Sequence, residues 1–249
     1  MYPVLFKIGS VVFYSHGVLL VAGIIFGALL VYLLSRRSEL SQNYVLDNVI
    51  YVSLFGIIGA RIAYFLLYPN QFNNISQVIF LWQGGLVSFG GFILGGITLF
   101  FLLKLQKQPI LPWLDLFAIG LPLGIALGRV GDWSAGDYGI LPVLAASGAW
   151  AQFVNNPLLE AGLCVLIVLI LLFMFLFAKI KKIDGIIFLL SILIYSGGRF
   201  MIDFWRGDPS FLIGLSLGQL FSLLMFIVSA VVFALKIRKD RKGAYNEVV

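Results

Sequence analysis

Cysteine and histidine are almost missing from this 249-residue chain, which has one of each, Cys164 and His16. A single thiol excludes a disulfide framework and a cysteine-based metal site, and a single imidazole excludes a His-rich metal centre. Cys164 lies in an apolar run and reads as a packing residue. Charge is also scarce, at 11% of residues against about 25% in an average soluble domain. Hydrophobic residues reach 61%, where about 45–50% is usual. A soluble globular fold is therefore excluded. Disorder, coiled coil and collagen need far less apolar content or a short repeat, and neither is present.

What is present is long apolar runs, at 11–34, 45–68, 78–103, 113–128, 158–178, 185–204 and 214–235. Each reaches or approaches the roughly 20 residues needed to cross a bilayer. The expectation is an all-α polytopic membrane protein with seven transmembrane helices in a single integral membrane domain over 1–249. The first run is longer than a signal-peptide core and is followed by Arg36 and Arg37 instead of a small-residue cleavage site, so an uncleaved helix is expected.

The formal net charge of +6 would suggest nucleic acid in a soluble protein, but its distribution describes topology. Basic clusters follow spans one (Arg36, Arg37), three (Lys104, Lys107), five (Lys179, Lys181, Lys182) and seven (Lys236, Arg238, Lys239, Arg241, Lys242). All lie on one side, which the positive-inside rule makes cytoplasmic, with the N-terminus outside. Lys7 precedes span one and can sit in water. Arg61, Arg129, Arg199 and Arg206 belong to no cytoplasmic loop. An arginine at membrane depth costs about 2.5–3.5 kcal/mol on insertion scales and marks a functional site by default. His16, Arg61, Glu160, Arg129 with Asp132 and Asp137, and Arg199 with Asp203 and Arg206 all fall toward the outer side. Arg-Asp pairs that only join helices are the plainer reading of the same residues.

Two stretches concentrate the chemistry. From Tyr195 to Arg206 the charges Arg199, Asp203 and Arg206 stand at i, i+4 and i+7, one face of a helix. Two guanidiniums flanking one carboxylate leave a net positive face whose planar forks suit a phosphate, so an anionic lipid headgroup is the expected ligand. From Gly128 to Gly139, four glycines (Gly128, Gly131, Gly136, Gly139) surround Arg129, Asp132 and Asp137. Irregular backbone at membrane depth lines a cavity or is buried in protein, so this stretch is expected to end span four as a wall of a polar chamber. A plain exit turn is the alternative. Gly120, Gly124 and Gly128, and likewise Gly91 and Gly95, recur at the spacing of close helix contacts. The denser run from Gly84 to Gly91 is either a helix break or a surface for acyl chains.

Taken in order, these residues resemble the prolipoprotein diacylglyceryl transferases nearly end to end. The resemblance rests on Ile8-Gly9 with Ser15-His16-Gly17, on Gly56 to Tyr64 around Arg61, and on the double-glycine stretch from Trp82. It continues through Gly128-Arg129-Val130-Gly131, Glu160, Arg199 to Arg206, and Ser216-Leu217-Gly218-Gln219. The family topology is likewise seven spans with the N-terminus outside. The chain departs from the family pattern at Phe89, where His-Gly-Gly is usual, at Asp132 and Ala135, where asparagines are usual, and at His16, where tyrosine is usual. Asp137 and Asp203 stand where the family has glutamate, and the approach to Glu160 is shorter.

The resemblance implies transfer of a diacylglyceryl group from phosphatidylglycerol to the lipobox cysteine thiol of a prolipoprotein, in the bacterial cytoplasmic (inner) membrane. It implies the lipid bilayer, phosphatidylglycerol and the prolipoprotein signal peptide as partners, with no nucleic acid and no metal or nucleotide cofactor. The thiol needs a base or a positive field, and the leaving phosphate needs cationic donors. The expected catalytic residues are Arg129, Arg199, Asp137 and His16. Arg129 and Arg199 grip the phosphodiester, with Arg206 next and Asp203 orienting them. Asp132 and Asp137 bind glycerol hydroxyls or accept the thiol proton, His16 is a further proton acceptor, and Gly128, Gly131 and Gly139 admit the substrate. Arg61 is expected to be structural. An inactive or altered-substrate paralogue that binds anionic lipid or signal peptide, and a membrane transporter, are the alternatives.

Overall fold

In a computed structural model, residues 3–9, 11–38, 40–72, 74–80, 85–136, 156–177, 183–205 and 210–246 are described. A hairpin of β1 (Val4–Ile8) and β2 (Val11–Tyr14) precedes seven helices: α1 (Ser15–Ser35), α2 (Asn43–Leu67), α3 (Ser88–Leu105), α4 (Ile110–Ala135), α5 (Asn156–Phe177), α6 (Ile186–Ile202) and α7 (Leu217–Asn246). All seven are long and apolar enough to cross a membrane, α6 when extended by the 3-10 turn Asp203–Trp205. Helices suit such a chain because each satisfies its backbone polar groups internally, which lipid cannot do. Their outer faces carry large apolar side chains such as Ile25, Ile93, Phe173 and Val231, all exposed.

Four boundaries differ from the apolar runs, each for a local reason. Residues 11–14 are strand, not helix: β-branched and aromatic residues favour extended chain, and Gly9, at φ +60°, makes the tight turn that pairs Ile8 with Val11 and stacks Phe6 on Phe13 with centroids 4.6 Å apart. The third helix starts at Ser88 instead of 78, after a 3-10 turn over Ile75–Ile79. The fourth continues past 128 to Ala135, so the expected irregular backbone after Gly128 is corrected to regular helix as far as Ala135. The seventh runs on to Asn246 through a stretch rich in Lys and Arg with no proline.

The chain divides into two compact units, Tyr32–Trp113 and the remainder, Met1–Val31 with Leu114–Val249. Within the first unit, α2 ends ahead of Pro69 and packs on α3 through glycines. A side-chain carbon on Gly91 would stand 3.1 Å from the Gly56 carbonyl oxygen, and Gly59 and Gly90 meet more closely still. Arg61, 3% exposed, donates to the carbonyls of Gln77 (2.8 Å), Val78 (3.0 Å), Phe80 (3.1 Å) and Gly85 (3.1 Å). These carbonyls are claimed by a guanidinium, the Gln77 one while it also closes the 3-10 turn with Phe80 N–H at 3.1 Å, and this is why the apolar run from 78 does not join α3. Arg61 is thus structural, and the described part of the glycine-dense stretch is a break, with Gly85 at φ +78°.

Within the second unit, α1 and α4 approach along matched glycines. Side-chain carbons on Gly23 and Gly27 would lie 2.6 Å and 2.8 Å from the carbonyl oxygens of Gly124 and Gly120, so the predicted spacing of glycines in span four serves helix contact. Asp115 on α4 accepts from the backbone N–H of Gly185 (2.6 Å) and Phe188 (2.8 Å), capping α6 from outside its own helix. Ser191 donates to the Ala118 carbonyl at 3.2 Å, fixing α6 on α4. At the start of α7, Ser216 and Gln219 cap each other's backbone N–H reciprocally, at 3.2 Å and 2.9 Å.

Candidate active site

Glu160, at the start of α5, has a side chain 1% exposed and is the centre of the polar cluster in this unit. A lone carboxylate there would be prohibitively costly, so its partners are the informative feature. One oxygen, Oε2, accepts from Arg129 Nε at 2.8 Å and from Arg199 Nη1. The other, Oε1, accepts from the Tyr195 hydroxyl at 2.7 Å. Arg129 comes from the last turns of α4, and Tyr195 and Arg199 come from the last turns of α6. Three helix ends thereby converge on one carboxylate.

The cluster continues in both directions. Arg199 Nη2 meets Asp203 Oδ1 at 3.0 Å, one turn further along. Gly218 leaves room for that carboxylate, since a side-chain carbon there would lie 2.9 Å from Asp203 Oδ2. On the other side, Arg129 Nη1 donates to Asp132 Oδ2 at 2.8 Å, and Asp132 Oδ1 meets His16 Nδ1 at 2.7 Å. His16 begins α1, so a fourth helix joins. Gly131 permits this approach: a side-chain carbon on it would stand 3.0 Å from the His16 Cα. Exposure is lowest at Glu160 and Asp203, 1% each, and highest at His16, 46%, with Arg199, Asp132 and Arg129 between them. The buried end is a fixed ionic scaffold and the His16 end is its accessible rim.

The structure thus brings together His16, Arg129, Asp132, Arg199 and Asp203 from the predicted set. Gly128 and Gly131 face α1, with Leu20 at 3.6 Å from a side-chain carbon on Gly128, and lie in regular helix; their backbone is not the open ligand cradle expected from their spacing. Asp137, Gly139 and Arg206 lie outside the described residues. Glu160 and Tyr195 are the members that the predicted set lacked. A signal for Glu160 existed, since it is the one acidic residue in the apolar α5. The net positive face expected from Arg199, Asp203 and Arg206 includes Arg206, which lies outside the described residues; among the described ones, Arg129 and Arg199 meet Asp132, Glu160 and Asp203. Cys164, one turn beyond Glu160, is fully buried against Ala126 and Ala161 and is packing, as read from its surroundings. Among the described residues no group of His, Cys, Asp and Glu is arranged to hold a metal.

Similarity to known proteins gives the family of the chain. The family model described as prolipoprotein diacylglyceryl transferase matches residues 3–235. The chain belongs to that family. A Clostridium perfringens relative named phosphatidylglycerol–prolipoprotein diacylglyceryl transferase 1 is 27% identical over 260 residues, covering 98% of this chain and 99% of its own. A Wolbachia pipientis relative with the same enzyme name, without the numeral, is 27% identical over 264 residues, covering 97% and 98%. One from Finegoldia magna is 27% identical over 245 residues, covering 95% and 96%. Membership of the prolipoprotein diacylglyceryl transferase family makes the chain a multi-pass membrane transferase and favours neither the transporter nor the inactive paralogue.

Proposed function

We propose that this protein moves the diacylglyceryl group of phosphatidylglycerol to the lipobox cysteine thiol of a prolipoprotein. It does so as one integral membrane domain of a bacterial cytoplasmic membrane, with its N-terminus outside, its C-terminus inside and its site facing the outer leaflet. The observation that carries this reading is the joining of Arg129 and Arg199 on the buried Glu160. Such a junction holds two guanidiniums in place before any ligand arrives, and preorganised donors are what a leaving phosphate requires.

Arg129 is the main phosphate donor. Among the described residues, Glu160 and Asp132 engage its Nε and Nη1, which leaves its second terminal nitrogen, Nη2, to meet a phosphate oxygen from the exposed side. Arg199, held by Glu160 and Asp203, supplies positive charge from behind. Arg206 adds a further cation, and Asp137 with Gly139 meets the glycerol moiety. Apolar outer faces let both the lipid and a signal-peptide helix approach within the bilayer.

The test is transfer of labelled diacylglycerol from phosphatidylglycerol to a lipobox peptide by the purified protein in micelles, beside Arg129→Ala and Arg199→Ala. Thioether product from the parent and a loss of at least about 10²-fold in each variant is expected for removal of a transition-state charge partner. A folded parent that binds the lipid and forms no product refutes the assignment.

A further inference from the structure

We propose that His16 is the proton acceptor for the attacking thiol, and that Asp132 is its positioning residue and not itself the base. This rests on the transferase reading above. Three observations carry it. Asp132 is committed on both oxygens, one to His16 Nδ1 at 2.7 Å and one to Arg129 Nη1 at 2.8 Å, so its carboxylate serves to hold its neighbours. His16 is the only imidazole in the chain and, at 46% exposure, the most accessible side chain of the cluster. Gly131 on α4 keeps the approach of Asp132 to His16 open, since a side-chain carbon there would stand 3.0 Å from the His16 Cα.

A carboxylate that accepts the Nδ1 proton of an imidazole fixes the tautomer whose lone pair is on Nε2, and it stabilises the imidazolium that follows. The thiol proton passes to Nε2. The sulfur lone pair forms the S–C bond to the glyceryl carbon of phosphatidylglycerol as the C–O bond to phosphate breaks. Glycerol phosphate leaves with that electron pair, and the imidazolium then gives its proton to water. Among the described residues, the charged groups paired in line with His16 are Asp132 and Arg129 on α4, with Glu160 of α5 behind Arg129. The hairpin leading into α1 carries Lys7 and Tyr14.

The test compares the full-length parent, His16→Gln and Asp132→Asn in phosphatidylglycerol micelles, from about pH 6 to about 9, a range that spans the free thiol pKa of about 8.5. Expected is a loss of about 10²–10⁴-fold for His16→Gln near neutrality, the usual contribution of a general base. That deficit narrows about tenfold per pH unit as the thiol ionises unaided. Asp132→Asn is expected to fall in the same direction with the same pH dependence. A peptide with selenocysteine in place of the acceptor cysteine, already ionised at neutral pH, should restore His16→Gln to near the parent rate. Parent-like rates for His16→Gln, or an equal deficit at every pH that the selenol does not relieve, overturn the proposal while leaving the transferase reading intact. A parent that transfers nothing at any pH overturns both.

Discussion

Replacing Glu160 by glutamine isolates the central charge with almost no change of shape. The amide oxygen can still accept from the Tyr195 hydroxyl, so that hydrogen bond, 2.7 Å in the parent, is retained. What disappears is the negative charge shared by Arg129 and Arg199. Removing one partner of a buried ion pair costs about 3–5 kcal/mol, because the other charge is left without compensation in a poorly solvated site. Arg199 keeps Asp203 at 3.0 Å and Arg129 keeps Asp132 at 2.8 Å, which places the expected loss near the lower end. About 3 kcal/mol corresponds to a fall of about 6–12 °C in apparent melting temperature for a chain of this size. Thermal unfolding of the purified protein in detergent, followed by exposure of the buried Cys164 thiol to a fluorogenic reagent, reads this directly. The double variant Glu160→Gln with Arg199→Gln should be less destabilised than the sum of the single variants by about 1–3 kcal/mol, the range of coupling for residues in one ionic network. A Glu160→Gln melting point within about 2 °C of the parent, or strict additivity in the double variant, would refute the view that one carboxylate holds the two arginines.

Two further variants probe the scaffold. Arg61→Lys keeps the charge but cannot span the four carbonyls of Gln77, Val78, Phe80 and Gly85; we expect a loss of at least about 3 kcal/mol, given about 1.5–3 kcal/mol for a hydrogen bond to a charged group, and faster amide exchange confined to residues 74–87. Asp115→Ala removes the acceptor of two backbone donors at the start of α6 and should cost about 2 kcal/mol, the upper range for a helix cap, whereas Asp115→Asn should cost under about 1 kcal/mol because asparagine caps nearly as well; equal melting points for the two variants would contradict the capping role.

The number of helices and the identity of the arginines at issue follow from composition and local pattern. Apolar runs long enough to cross a bilayer leave the backbone no alternative to helix, so seven runs become seven helices whatever their neighbours. Isolated arginines are equally visible, because each is costly at membrane depth and needs a partner. Glycines at four-residue spacing likewise announce the close approach of α1 and α4. Helix ends are less legible, since they depend on who claims the backbone carbonyls: a guanidinium from α2 takes those of Gln77, Val78, Phe80 and Gly85 ahead of α3, and nothing within that stretch states this. Partner choice is less legible still. Arg129, Tyr195 and Arg199 are 113 or more positions from His16 yet belong to one cluster, and Glu160 becomes its centre through the packing of α4, α5 and α6. A local reading around Arg199 therefore pairs it with Asp203 alone, whereas the assembled cluster adds Glu160 from another helix, and the low-dielectric interior couples them.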